Sequence, residues 1–196
     1  MSDKRSISRA DILDPAVYTK DRKELKRQIS AVKRNRRVEV GPYCTFYFEN
    51  YATMWHQIHE MLYIEHGGEA QIVDELAAYN PLIPQGSELI ATVMFEIEDA
   101  VRRQATLSML GGVENNFYLS VGGEKIAGLP DPTRENTSED GKASAVQFAR
   151  FPFTAAQKEK FSVAGAQILC GIDHPHYGHI AVIPEPVRTA LAQDFA

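Results

Sequence analysis

Cysteine is scarce in this chain: Cys44 and Cys170 are the two present, each inside an apolar, strand-like run. No Cys-x-x-Cys occurs, which leaves an iron–sulfur or thioredoxin-type role without support. The usage fits a reducing cytoplasm, and both thiols read as small buried hydrophobes. Long apolar runs are missing too. None approaches the roughly 20 residues that a membrane-spanning helix needs. Met1-Ser2-Asp3-Lys4-Arg5 is not followed by an apolar core, so no secretory signal is expected and the protein is expected to be cytoplasmic. Gly-x-Gly-x-x-Gly, the phosphate-cradling Gly-x-x-x-x-Gly-Lys-Ser/Thr and the hydrolase Gly-x-Ser-x-Gly are all absent. The net charge of −5 argues against a general affinity for nucleic acid.

What is present is unevenly placed. More than half of the 21 Lys and Arg residues lie in residues 1–37, interleaved with Asp11, Asp14, Asp21 and Glu24. No Phe or Trp accompanies them to stack on bases, so this basic segment reads as a solvated helix. A length of 196 residues fits one domain: a helical, basic N-terminal segment over 1–35, a core over 36–196 and an exposed loop at 129–142.

Ser8 with Asp11 resembles a capping box opening a first short helix. Pro15 suits the first turn of a second helix over 15–34, along which Val17, Leu25, Ile29 and Val32 form one apolar stripe. Residues 37–40 and 44–48 alternate as strands about a Gly41-Pro42 turn. Asn50 is placed to cap a helix that ends at His66-Gly67-Gly68, and another follows over 69–79. Further strands are read at 88–96, 117–121, 125–127, 144–153, 167–172 and 180–183, with helices over 99–110, 154–161 and from Pro186 onward. Consecutive strands between helical blocks predict an α+β fold with a mainly antiparallel sheet of about 6–8 short strands.

The six histidines fall into two groups, His56, His59 and His66, then His174, His176 and His179. At about 100° per residue, His56, His59, Tyr63 and His66 share an arc of roughly 80°. Glu60 lies beside that arc, while Met54, Ile58, Met61 and Leu62 form a separate apolar one. Imidazole with carboxylate can hold a transition metal or relay protons. The order is nevertheless not that of a zincin or of a di-iron bundle, so packing and capping, with His66 at the helix C-terminus, is the competing reading. In Asp173-His174-Pro175-His176-Tyr177-Gly178-His179, Asp173 is placed to orient His174 as a ligand or a general base. The competing reading there is a polar surface turn. Glu96, Glu98 and Asp99 read as surface partners of Arg102 or Arg103.

Several segments together resemble one bacterial family, domain of unknown function 3501. They are Arg36-Arg37-Val38, Val40-Gly41-Pro42, Phe48-Glu49-Asn50, Gln57-Ile58, Glu60-Met61-Leu62, Tyr79-Asn80, Leu82-Ile83-Pro84, Glu88-Leu89, Ala91-Thr92, Glu96-Ile97-Glu98, Ser144-Ala145-Val146-Gln147-Phe148 and Asp173-His174-Pro175 with Tyr177. Members are often encoded beside a rubrerythrin-like di-iron protein and an iron–sulfur oxidoreductase, so the resemblance implies a redox setting. It also implies that Gln57, Glu60, Asp173, His174 and Tyr177 recur, whereas the other five histidines are particular to this chain. A family-wide site would then use Glu49, Glu60, Glu65 or Glu88 with His174.

Three expectations follow. The first is a cytoplasmic metal-binding or accessory protein of that redox system, with Glu60, Glu65, Asp173 and His174 holding a divalent transition metal such as iron or zinc and Tyr177 as a supporting hydrogen bond. The second is an adaptor docking its basic N-terminal segment onto an acidic rubrerythrin-like or iron–sulfur partner. The third is a small-molecule enzyme using His174 and Asp173 as a general base. Self-association into a homo-oligomer is compatible with each.

Overall fold

The segment Glu88–Phe95 shows how the core is specified. Leu89, Ala91, Val93 and Phe95 point to one face and are essentially buried, while Ile90, Thr92 and Met94 point to the other. A side-chain period of two puts alternate residues on opposite faces of a strand, so this one is read twice: once by the protein core and once by whatever covers its outer face.

The structure, a computed structural model, describes residues 4–195. Met1-Ser2-Asp3, part of the start examined for a secretory signal, lies outside the described residues. Among the described residues, six α-helices and nine strands follow one another: α1 (Pro15–Arg34), β1 (Arg37–Val40), β2 (Cys44–Phe48), α2 (Tyr51–Glu65), α3 (Gly68–Tyr79), β3 (Glu88–Phe95), α4 (Ala100–Ser108), β4 (Phe117–Val121), β5 (Glu124–Ala127), β6 (Leu129–Pro130), β7 (Val146–Pro152), α5 (Ala155–Ser162), β8 (Ile168–His174), β9 (Tyr177–Val182) and α6 (Glu185–Ala192). The strands form two antiparallel sheets, ordered β1-β2-β3-β7-β6 and β5-β4-β8-β9. The fold is α+β as expected, with the strands divided between two sheets.

The inner faces of both sheets share one core. Phe46 of β2 meets Phe117 of β4 edge-on, with ring centroids 5.5 Å apart, and Phe151 of β7 completes the contact. Each such fully buried aromatic or branched side chain contributes roughly 1.5–3 kcal/mol relative to exposure. Phe153, Phe161 and Phe195 close one end, joining β7, α5 and the C-terminal segment. Cys44 and Cys170 lie buried in this core as free thiols, and burial pushes both well above the usual thiol range.

A second cluster sits on the outer face of the five-stranded sheet. Met54 and Ile58 of α2, Ile72 of α3, Leu82, Ile83 and Ile90 form it, together with Ile7 and Ile12. The N-terminal segment is therefore built into the fold. Asn80 clamps it by accepting from the Ile7 N–H (2.7 Å) and donating to the Ile7 carbonyl (2.9 Å).

The capping residues behave as their chemistry demands. Asp14 accepts from the Ala16 N–H at 2.8 Å, and Asn50 exchanges bonds with Thr53 in a capping box. Asp11 accepts from the Ser8 N–H and hydroxyl. His66 ends α2 in the left-handed region, φ 55°, with its N–H on the Leu62 carbonyl. Some expectations are displaced. The loop read at 129–142 contains β6 and a bridge between Thr137 and Ala143. Among the described residues neither Arg102 nor Arg103 forms an ion pair: Arg103 donates to the Ile97 carbonyl (2.9 Å), and Glu96 is held by the hydroxyls of Thr45 and Tyr47.

Candidate functional site

The second histidine group is a β-hairpin, with β8 running through His174 and β9 beginning at Tyr177. Alternation along β8 puts Asp173 and His174 on opposite faces. Asp173 is exposed and paired with Lys125 at 2.8 Å, while His174 is buried. Asp173 therefore does not orient His174, contrary to the expectation above. The His174 ring is fixed by backbone: Nδ1 accepts from the His176 N–H at 3.2 Å, and Nε2 lies 3.3 Å from the Gly111 carbonyl, to which it donates in that tautomer.

Tyr177 is likewise engaged with backbone. Its hydroxyl accepts from the N–H groups of Tyr43 (2.9 Å) and Cys44 (3.0 Å) and donates to the Val40 carbonyl (2.9 Å). Burial pushes this phenol up to about 12. The bonds seal the β1–β2 turn against β9, where Gly41 has φ 71° and a Cβ would lie 2.5 Å from the His179 ring. Tyr177→Phe removes three hydrogen bonds, at the Tyr43 and Cys44 N–H groups and the Val40 carbonyl. A loss of about 2–4 kcal/mol is expected, read from the urea midpoint.

The first histidine group faces helix α1. Glu60 takes both Nε and Nη2 of Arg22 (2.8 Å each), the Tyr18 hydroxyl (2.7 Å) and, at 3.4 Å, Lys26. The Arg22 guanidinium beside it holds its carboxyl down to about 2. His59 accepts from the Leu13 N–H at Nε2 (3.0 Å), and its Nδ1 meets the Trp55 carbonyl (2.7 Å), so both ring nitrogens are committed. Burial lowers its pKa. Glu65, at the exposed end of α2, accepts from Gln71, and Glu88 accepts from Gln85, Ser87 and Arg150. Glu60 and Glu65 thus lie on the helical layer of one sheet, while Asp173, His174 and Tyr177 lie on a hairpin of the other. Among the described residues, no group of three or more His, Cys, Asp or Glu is arranged to hold a metal ion.

A different place has the character of a site. Between the outer face of the five-stranded sheet and the helices lies a cleft of about 360 Å³. Its floor is a cross-strand row, Tyr47–Thr92–Phe148, flanked by Met94 and Val146. Its walls are Thr53, Met54 and Gln57 of α2, with Tyr79 and Leu82 beyond them and Lys33 and Arg36 at the end of α1. Glu49 also lines it, where β2 hands over to the Asn50 cap of α2.

Glu49 is 8% exposed. One of its carboxylate oxygens accepts from the Thr92 hydroxyl at 2.7 Å. The other makes no hydrogen bond, and the carboxylate no ion pair, among the described residues. Arg36, 3% exposed, is fully used elsewhere: it donates to the carbonyls of Phe48 (2.9 Å), Glu49 (3.0 Å) and Ala190 (3.4 Å) and pairs with the Asp194 carboxylate.

The profile of a protein family of unknown function, DUF3501, matches residues 6–195. The chain belongs to that family. A crystal structure of a novel protein of unknown function from Burkholderia pseudomallei K96243 is similar to it, with 38% identity and a TM-score of 0.90 over 97% of this chain and 100% of that one. No curated protein matches. No helix is long and apolar enough to cross a membrane among the described residues.

Sequence reasoning named Glu49 merely as one of four carboxylates that could join His174. The signal that singles it out is Thr92, a hydroxyl on the outer face of an otherwise apolar run, paired across the sheet with Tyr47 beside the strand end that Glu49 follows.

Proposed function

We propose that this protein binds a small, largely apolar molecule in the cleft between α2 and the five-stranded sheet, with Glu49 as the group that recognises it. The observation that carries this reading is the Glu49 carboxylate, 8% exposed at the cleft, with one oxygen on the Thr92 hydroxyl and the other, open to solvent in the cleft, making no hydrogen bond among the described residues. Ligand sites are concave and mostly apolar, with a few polar atoms that a ligand completes.

The uncharged dye N-phenyl-1-naphthylamine tests the cleft itself. Its fluorescence should rise saturably with the protein and fall to background with Met94→Trp, which fills the floor, provided that variant melts as the parent does. Dye binding that is absent, or indifferent to Met94→Trp, would sink the reading. The divalent-metal reading of Glu60, Glu65, Asp173 and His174 is tested on the same preparation, by metal analysis of tag-free protein with and without His174→Ala.

A further inference from the structure

We infer that the molecule selected by this cleft is a zwitterion with an apolar side chain, its ammonium meeting Glu49 and its carboxylate meeting Lys33. The inference rests on the reading of the cleft as a ligand site. Three charged residues line the cleft, and Arg36 is spent on carbonyls and Asp194. Two remain. Glu49 has one oxygen taken by Thr92 and the other unmatched. The Lys33 ammonium, on the last turn of α1, makes no hydrogen bond or ion pair among the described residues, with Glu49 or any other group.

The cleft therefore offers one negative and one positive group that are held apart. A simple cation would satisfy Glu49 but meet Lys33, and a simple anion would do the reverse. Each mismatch disfavours the wrong ligand as effectively as the match favours the right one. A molecule carrying both charges uses both residues. Met54, Leu82, Met94 and Phe148 line the same cleft, aliphatic, thioether and aromatic surface suited to an uncharged side chain. A volume of about 360 Å³ is at the small end for ligand sites, the scale of a single amino acid.

The test compares three ligands on the unmodified protein by calorimetry or NMR titration. L-Phenylalanine carries both charges, phenethylamine lacks the carboxylate and 3-phenylpropanoate lacks the ammonium. Phenylalanine should bind at least about tenfold tighter than either analogue, the scale of one charge-assisted hydrogen bond. Glu49→Gln should abolish the advantage over 3-phenylpropanoate, and Lys33→Met the advantage over phenethylamine. The ligand comparison needs no variant, so a folding defect in either does not remove the test. If the neutral dye binds while the three ligands bind equally or not at all, the zwitterion assignment is overturned and the cleft reading stands. If the dye does not bind either, the cleft reading itself has failed.

Discussion

Arg36→Met should lower the stability of the folded protein by about 3–5 kcal/mol, the usual cost of removing one partner of a buried ion pair. For a chain of this length that is on the order of 10 °C in Tm. The guanidinium is 3% exposed and joins β2 to the C-terminal segment through Phe48, Glu49, Ala190 and Asp194. Methionine replaces its volume but satisfies none of these acceptors. Asp194 is then left buried, with a pKa already raised by burial against the pull of Arg36. A carboxylate whose folded pKa lies above its unfolded value is most stabilising when protonated, so the deficit of the variant should narrow as the pH falls from 7 towards 4. Adding Asp194→Leu should restore much of the loss, since replacing both members of a buried pair by apolar groups is often close to neutral. Urea midpoints for the single and double variants at two pH values measure all of this. A single variant within 1 kcal/mol of the parent at pH 7 would show that the Arg36 network is not what joins the C-terminal segment to the sheet.

The same residue marks what could and could not be read from the chain. Arg36 stood in a basic run and looked solvated, because sequence shows charge but not the acceptors that folding brings to it. Local features were legible. The helix-capping roles of Asn50 and His66 need only a few neighbouring residues, and the alternation in 88–95 and 117–121 needs only a period of two. Pairing was not legible. Alternation states that a strand has two faces, but it does not state which strand lies beside it. The division into two sheets, and the placing of β8–β9 in one and of β2–β3–β7 in the other, came from non-local contacts.

The candidate site divides along the same line. The helical wheel gathered His56, His59, Tyr63 and His66 onto one arc with Glu60 beside it; His66 falls past the end of α2, and the wheel could not show that Tyr18 and Arg22 of α1 cover His59, Glu60 and Tyr63. Glu60 looked available for a metal because its cationic partners lie far off in sequence. Glu49 looked ordinary because what sets it apart is an absence: its carboxylate makes no ion pair among the described residues. An unmatched group can be recognised only after every neighbour has been placed.

His56 carries that argument into a second measurable effect. It is 7% exposed on the α2 face that meets α1, and neither ring nitrogen has a hydrogen-bond partner among the described residues. Burial pushes its pKa down to about 4; Glu60 opposes the shift, while Lys33 and Lys26 of α1 and His59 add to it. A histidine with a depressed folded pKa binds its proton less readily than in the unfolded chain. Its penalty is absent above the unfolded value of 6.5 and grows as the pH falls from there to about 4, below which it stays constant. The full window is worth about 3 kcal/mol. His56→Leu should therefore stabilise the protein by about 1–2 kcal/mol at pH 7, because two unmatched buried polar atoms disappear. The advantage should widen as the pH approaches 4, because leucine takes up no proton. Urea midpoints at pH 7.5, 6, 5 and 4 would show it. Equal acid sensitivity in the parent and in His56→Leu would place the titrating group elsewhere. Destabilisation at pH 7 would mean that the imidazole has a partner, such as an ordered water between α1 and α2, strong enough to repay its burial.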